Sequence, residues 1–398
     1  MSLFTAVEMA PRDPILGLNE QFNADTNPAK VNLGVGVYYD DNGKLPLLQC
    51  VQAAEKQMME APKARGYLPI DGIAAYDTAV KSLVFGGDSE PVKSGRVATV
   101  QALGGTGGLK IGADLLKKVN PTAKVLISDP SWENHRALFT QAGFTVEAYP
   151  YYNASKRGID FDGMLTALST AAEGTIVVLH ACCHNPTGYD ITAAQWDQVI
   201  AAVKANKLTP FLDMAYQGFG YGIAEDGAVI GKFVAAGLSF FVSTSFSKSF
   251  SLYGERVGAL SVLCKDPEET SRVLSQLKIM IRTNYSNPPI HGGMVCAMVL
   301  TTPELRALWE KELGDMRVRI KEMRTALVKG LKAAGIQQDM SFITDQIGMF
   351  SYSGLTRDQM VRLRTEFGVY GTDTGRMCVA ALNTKNIGYV CQSIAKVL

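Results

Sequence analysis

Between residues 97 and 263 the chain alternates short apolar, β-branched runs with longer stretches whose apolar positions recur every three or four residues. The runs "RVATVQ", "KVLIS", "TVEAYP", "TIVVLH", "TPFLD", "FFVSTS" and "VGALSVL" predict strands, most of them buried on both faces. The intervening "LKIGADLLKKV", "WENHRALFTQAG", "FDGMLTALSTAA", "AAQWDQVIAAVKA" and "AVIGKFVAAG" predict helices. Seven such strands alternating with helices imply an α/β fold with a mainly parallel sheet covered on both sides. After Thr302 the pattern becomes one long helical run, too long for a single compact layer and suited to bridging two domains. Residues 337–398 return to short strands ("MFSYSG", "RMCVAAL") and two helical stretches, as in a smaller α+β domain. The expected division is an arm at 1–14, a small domain from 15–45 and 315–398, and a large domain at 46–314.

Ligands of parallel sheets bind beyond the carboxyl ends of the strands. The chemically able residues of this chain fall at those places. Gly104-Gly105-Thr106 follows the first strand and Asp129 to Trp132 the second. His180 to Gly188, Asp213 to Tyr216 and Ser245 to Lys248 follow three more. A glycine-rich turn opening a helix offers free N–H groups and a helix dipole to a phosphate, although many such turns are only turns. It departs from a dinucleotide fingerprint, because no acidic residue ends a second strand at the expected distance.

Asp213 ends an apolar strand, where a carboxylate is costly unless cations or strong donors meet it. It reads either as a helix N-cap or as the partner of a ligand nitrogen that must stay protonated. Asn185 precedes a proline and is held extended, so its amide can project towards a ligand. "HACCHNPTG" invites a zinc reading through His180, Cys182, Cys183 and His184. Those residues are too crowded for one tetrahedral shell, and no second Cys/His pair follows, so no metal is expected. Lys248 stands among hydroxyls with Arg256 eight residues on. An amine can form an imine while a guanidinium holds a phosphate, but an exposed Lys and Arg beside a strand read alike.

Taken together and in order, "VNLGVGVY", "GYLPIDG", "SDPSWENH", "HACCHNPTG", "DMAYQGF", "SFSKSFSLYGERVG", "RTNYSNPP" and "GRMCVAALN" resemble the fold-type I pyridoxal-phosphate-dependent aminotransferases. The resemblance spans nearly the whole chain, and within that class is closest to the aspartate and aromatic (tyrosine) subgroup. It implies pyridoxal 5′-phosphate as cofactor and a homodimer with active sites shared between subunits. Carried over, Lys248 holds the cofactor's aldehyde and shuttles the proton between substrate Cα and cofactor C4′. Asp213, supported by His135, keeps the ring nitrogen protonated, while Asn185 and Tyr216 bond the phenolic oxygen and Trp132 stacks on the ring. Gly105, Thr106, Ser245 and Arg256 hold the phosphate, with Tyr67 reaching in from the neighbouring subunit. Arg376 clamps the substrate α-carboxylate, and Arg282, also from the neighbour, faces the substrate side chain. Gly36 and Phe350 match positions lining the substrate entrance. One departure is Gly104, where many relatives carry Ser; a hydroxyl donor is lost, and the backbone amide is expected to remain for the phosphate.

The Tyr38-Tyr39 pair, with Leu45 nearby, looks like the aromatic enzymes, whereas Thr106 and Asn287 look like the aspartate type. The expectation is a dual-specificity enzyme moving an amino group from tyrosine, phenylalanine or aspartate to 2-oxoglutarate. A strict aspartate aminotransferase, a β-lyase or decarboxylase on the same cofactor, and a nicotinamide-dependent oxidoreductase are the alternatives. Composition narrows the setting. At 398 residues, 47% hydrophobic and 19% charged, the chain is long enough for two folded domains. A net charge of +1 without a basic stripe argues against nucleic acid. Seven scattered cysteines, no secretory signal and no apolar stretch of membrane length give the expectation of a cytoplasmic protein with reduced thiols.

Overall fold

The computed structural model describes residues 2–398. In chain order its strands are β1 (Val31–Asn32), β2 (Val97–Leu103), β3 (Lys124–Asp129), β4 (Thr145–Pro150), β5 (Tyr152–Asn153) and β6 (Gly158–Ile159). They continue as β7 (Ile176–His180), β8 (Thr209–Met214), β9 (Phe240–Ser245), β10 (Val257–Leu263), β11 (Phe350–Tyr352), β12 (Val369–Tyr370) and β13 (Arg376–Cys378). The seven strands expected from the apolar runs make one sheet in the order β2-β10-β9-β8-β7-β3-β4. Neighbours from β9 across to β4 pair in parallel, and β10 runs antiparallel to both β2 and β9.

Burial on both faces explains why these strands read as unbroken apolar runs rather than as alternations. In β7, Val177 and Leu179 enter one core while Val178 enters the other; in β8, Phe211 and Leu212 part in the same way. The period of two therefore feeds two separate cores from one sheet. Parallel neighbours require crossovers, and the helices Glu133–Gln141, Ala193–Ala205 and Ile223–Ala235 supply them between β3 and β4, β7 and β8, and β8 and β9. The helix at Ala193 starts where it does because Thr192 and Gln195 satisfy each other's backbone N–H groups in a capping box.

The long run after Thr302 is one helix, Pro303–Ala333, of 31 residues. At 1.5 Å per residue it spans roughly 46 Å. Its chain then returns to meet the N-terminal segment. Val31 pairs with Val369 as β1 runs parallel to β12, and Phe350 pairs with Cys378 as β11 runs antiparallel to β13. Residues more than 300 positions apart in sequence thus share a ladder beside the sheet's carboxyl edge. All seven cysteines are buried and free. No described helix is long and apolar enough to cross a membrane.

Candidate active site

The carboxyl ends of the central strands open onto a cavity of about 680 Å³. Of the residues singled out from the sequence, Gly105, Thr106, Trp132, Asn185, Asp213, Tyr216, Ser245, Lys248 and Arg256 line it from the sheet side. Gly36, Phe350 and Arg376 line it from the opposite side. A groove of about 790 Å³ lies elsewhere, between the helices Ala74–Phe85, Ile223–Ala235 and Pro303–Ala333, and none of the expected site residues lines it.

Asp213 stands near the end of β8, and the string of apolar residues before it leaves its carboxylate buried. Burial alone would raise its carboxyl pKa. The hydrogen bond from His135 and the nearby Lys248 outweigh that and hold it below the ordinary carboxylate range. His135 Nε2 lies 2.8 Å from Asp213 Oδ2, and its Nδ1 lies 2.9 Å from Ser131 Oγ. A histidine on the helix after Trp132 thus serves the carboxylate on a different strand. Lys248, one turn past β9, is pushed down to about 8 by burial, with Arg256 and Arg376 adding like-charge repulsion against the pull of Asp213. Its Nζ is 5.0 Å from the centre of the Tyr216 ring. Burial lifts the Tyr216 phenol far above its usual range, so that hydroxyl is a proton donor throughout the physiological range.

The facing wall is cationic. Arg376 is 2% exposed, yet no carboxylate pairs with it among the described residues. Nη1 donates to Asn185 Oδ1 at 2.9 Å and Nη2 to the Gly34 carbonyl at 2.8 Å, while Nε is buried with no partner. A buried cation with an unpartnered N–H is poised for an anionic ligand. The Phe350 ring lies under this guanidinium at 4.4 Å. Gly36 is required by that ring, since a Cβ there would sit 2.7 Å from Phe350 Cζ.

At the third side, the helix Gly104–Val119 begins without a side-chain cap, opposite Arg256. Arg256 Nη1 donates to Ser247 Oγ at 3.3 Å and to the Tyr253 carbonyl at 3.0 Å, and no carboxylate engages it among the described residues. Here one expectation is corrected. The Gly104 amide is not free for a phosphate, because it donates to the Arg256 carbonyl at 3.0 Å. The glycine has its own reason: its φ is +68°, and a Cβ would lie 2.5 Å from Arg256 Nη2. The anion cup is therefore left to the next N–H groups of that helix, the Ser245 hydroxyl and Arg256.

An aldehyde-bearing, phosphorylated pyridine needs an amine, a carboxylate for its ring nitrogen, a donor for its phenolic oxygen and an anion cup. Lys248, Asp213, Tyr216 and the Gly105–Arg256 cup provide these within one cavity, so the residues present fit that group. Tyr67 and Arg282 are not part of it. Tyr67 is 95% exposed and borders a separate cavity with Asn287 and Pro288; Arg282 is exposed and donates to Ser286 Oγ.

Of the other residues lining the cavity, three without an assigned role bear on its chemistry. Ser247 steadies Arg256, and the Tyr253 hydroxyl accepts from the Tyr38 amide at 2.9 Å. His180 is the third: it sits opposite Asp213 in the ladder, and both its ring nitrogens are buried without a partner. Burial holds it neutral, well below the ordinary imidazole range. Its place at a strand end was a signal, obscured by the neighbouring cysteines. Within the crowded string, His184 has both ring nitrogens engaged, by Ser128 and Thr187, each at 2.9 Å.

Residues 28–394 match the family model described as aminotransferase class I and II. The chain belongs to that family. This aminotransferase-family chain is 62% identical over 398 residues to the aspartate aminotransferase of Pseudomonas aeruginosa, with all of both chains covered. It is 49% identical over 397 residues to the aromatic-amino-acid aminotransferase of Escherichia coli, again with full coverage of both. Its structure superposes with a TM-score of 0.97 on the crystal structure of the aromatic-amino-acid aminotransferase of Burkholderia pseudomallei covalently bound to pyridoxal phosphate. That protein is 66% identical, and 100% of each chain is covered. The α/β sheet described above is that enzyme's fold, and a nicotinamide-dependent oxidoreductase is set aside.

Proposed function

We propose that this family member is a pyridoxal-phosphate-dependent aminotransferase acting on aromatic amino acids and on aspartate, with 2-oxoglutarate as amino acceptor. The observation that carries the reading is the cavity's pair of opposed walls: Lys248 beside ionised Asp213 on one, and Arg376 without a counter-ion on the other. Pyridoxal phosphate, when bound, supplies an aldehyde that takes up the amino group and a pyridine ring that accepts the electrons released at Cα.

The chain's own residues divide the remaining work. Arg376 grips the donor's α-carboxylate, with Asn185 fixing the fork of the guanidinium. Lys248, with its amine near neutrality, would take the proton from Cα and deliver it to the C4′ carbon of the bound cofactor. Asp213, braced by His135, keeps the ring nitrogen protonated, and Tyr216 donates to the phenolic oxygen. Trp132 covers one face of the ring. The Gly105, Thr106, Ser245 and Arg256 cup anchors the phosphate.

Ile15, Leu16, Val35, Val37 and Trp132 border the cavity and favour an apolar or aromatic substrate side chain by burial. Tyr67 and Arg282 act in the cavity of a second copy, so the active enzyme is a homodimer; their exposure supports this reading. A small domain of 15–45 and 315–398 against a large domain of 46–314 is part of the same proposal, and cytoplasmic location accords with seven free thiols. A strict aspartate aminotransferase is the competing reading, favoured by the name of the 62% identical relative. Comparing kcat/KM for tyrosine, phenylalanine and aspartate against 2-oxoglutarate decides between them. Activity on all three is expected, and aspartate activity with none on the aromatics would overturn the dual specificity.

A further inference from the structure

The buried stripe of the helix Pro303–Ala333 runs from Leu305 to Leu331 and is apolar except at one position. Arg324 lies in it, 2% exposed. Among the described residues no carboxylate pairs with Arg324, and a buried charge without a counter-ion is costly. Three backbone carbonyls take the place of the carboxylate. Nη2 donates to Gly348 O at 2.8 Å and also to Phe350 O, and Nη1 reaches Ile343 O at 3.4 Å. Burial pushes the guanidinium pKa down to about 10, so it stays charged at neutral pH.

The segment so held has little freedom on its other side. Gly348 has φ +79°, and a Cβ there would lie 2.7 Å from Cys183 Cβ. Ile347 N–H donates to Gly188 O at 2.7 Å. The chain entering β11 is thus wedged between Arg324 and the Cys183–Gly188 loop. Phe350 emerges from that wedge with its ring 4.4 Å beneath the Arg376 guanidinium and edge-on to Tyr216 at 5.8 Å. One nitrogen of the planar guanidinium, Nη2, bonds the carbonyls of both Gly348 and Phe350 while Nη1 reaches Ile343 O, and together they fix the backbone from which this ring projects.

We propose that Arg324 is a positioning residue for the substrate carboxylate: by clamping the carbonyls of residues 343, 348 and 350 it seats the Phe350 ring under Arg376 and so aims that guanidinium. This rests on the reading of Arg376 as the carboxylate-binding cation. A lysine at 324 keeps the charge but has one nitrogen in place of two, so it cannot hold Ile343 O together with Gly348 O and Phe350 O, and the clamp loosens. Ligand binding then weakens, and the proton-moving side of the cavity, built on β8 and β9, is left in place.

The test is calorimetric binding of 3-phenylpropanoate and succinate, which lack an amino group, to the cofactor-loaded protein and its variants. Arg324→Lys is expected to weaken both about tenfold, and in steady state to raise KM for amino donors while kcat stays within about twofold. Phe350→Leu weakens them as well, and the double variant shows less than the sum of the two effects. Leu331→Ala, on the same helix stripe, lowers the melting temperature without changing either binding constant. Unchanged binding in Arg324→Lys, additive effects, or a loss in kcat alone would overturn the proposal. So would unchanged binding in Phe350→Leu, which decides the matter even where Arg324→Lys does not fold. Arg376→Lys is the control: if it leaves binding intact, the reading of the site fails, and the inference with it.

Discussion

The cavity's two walls are built on opposite principles. On the sheet side the ionisable groups answer one another inside the chain: Asp213 has His135, His135 has Ser131, and Lys248 faces Asp213. On the C-terminal side Arg376 has only neutral oxygens for company, and one of its N–H groups has none. On the proposed function, the first wall serves proton movement and the second receives a charge that arrives with the substrate. Removing a group from the first wall therefore damages chemistry, whereas removing one from the second damages binding.

The largest expected effect breaks the first wall at its centre. Lys248→Ala removes the amine beside Asp213, and transamination is expected to fall by on the order of 10⁴-fold, the upper range for a general acid–base group. Purified protein should also lose the pH-dependent absorbance of protein-bound cofactor. Substantial turnover by the variant would show that the proton moves by another route.

A smaller effect follows one residue further out. His135→Phe keeps a ring in the space but removes the donor to Asp213, whose carboxyl then rises because burial is left opposed mainly by the more distant Lys248. The acid limb of the kcat profile should move to higher pH, and kcat at neutral pH should drop roughly tenfold, about the worth of one charge-assisted hydrogen bond. KM for aspartate and tyrosine should change little, since Arg376 is untouched. A KM effect without a shifted acid limb would place His135 with the binding wall instead.

The difference between the walls also governs what could be read without a structure. The sheet wall was legible because each of its residues ends a strand, and unbroken apolar runs such as "TIVVLH" mark strands buried on both faces. Asp213, Lys248 and Asn185 followed from that. The other wall was not, since its shape depends on β11 pairing with β13 and β1 with β12, across separations that no local period encodes. Arg324 reads in sequence as an ordinary charged position of a long amphipathic helix; only burial reveals that carbonyls, not water, receive it. Gly104 misled for a related reason. Its amide was counted as a free donor, but antiparallel β10 brings the Arg256 carbonyl to it. Resemblance supplied Tyr67 and Arg282, since no strand end or local period in the sequence marks either of them.

The mildest prediction concerns the proton that Lys248 must lose before it can act. In the cofactor-free protein burial and the two arginines depress its pKa to about 8, while Asp213 limits the fall. The neutral amine is the nucleophile, so capture of added pyridoxal phosphate should quicken as pH rises towards 8 and level off above it. An unperturbed lysine would keep gaining up to about pH 10.4. Replacing Arg376 by Gln sharpens the contrast, because removing a like charge lets the Lys248 pKa climb and should move the plateau to higher pH. Stopped-flow absorbance across this range measures both curves. If the Arg376→Gln plateau stayed in place, the two walls would be electrostatically independent, and burial and Arg256 alone would set the amine's proton affinity against Asp213.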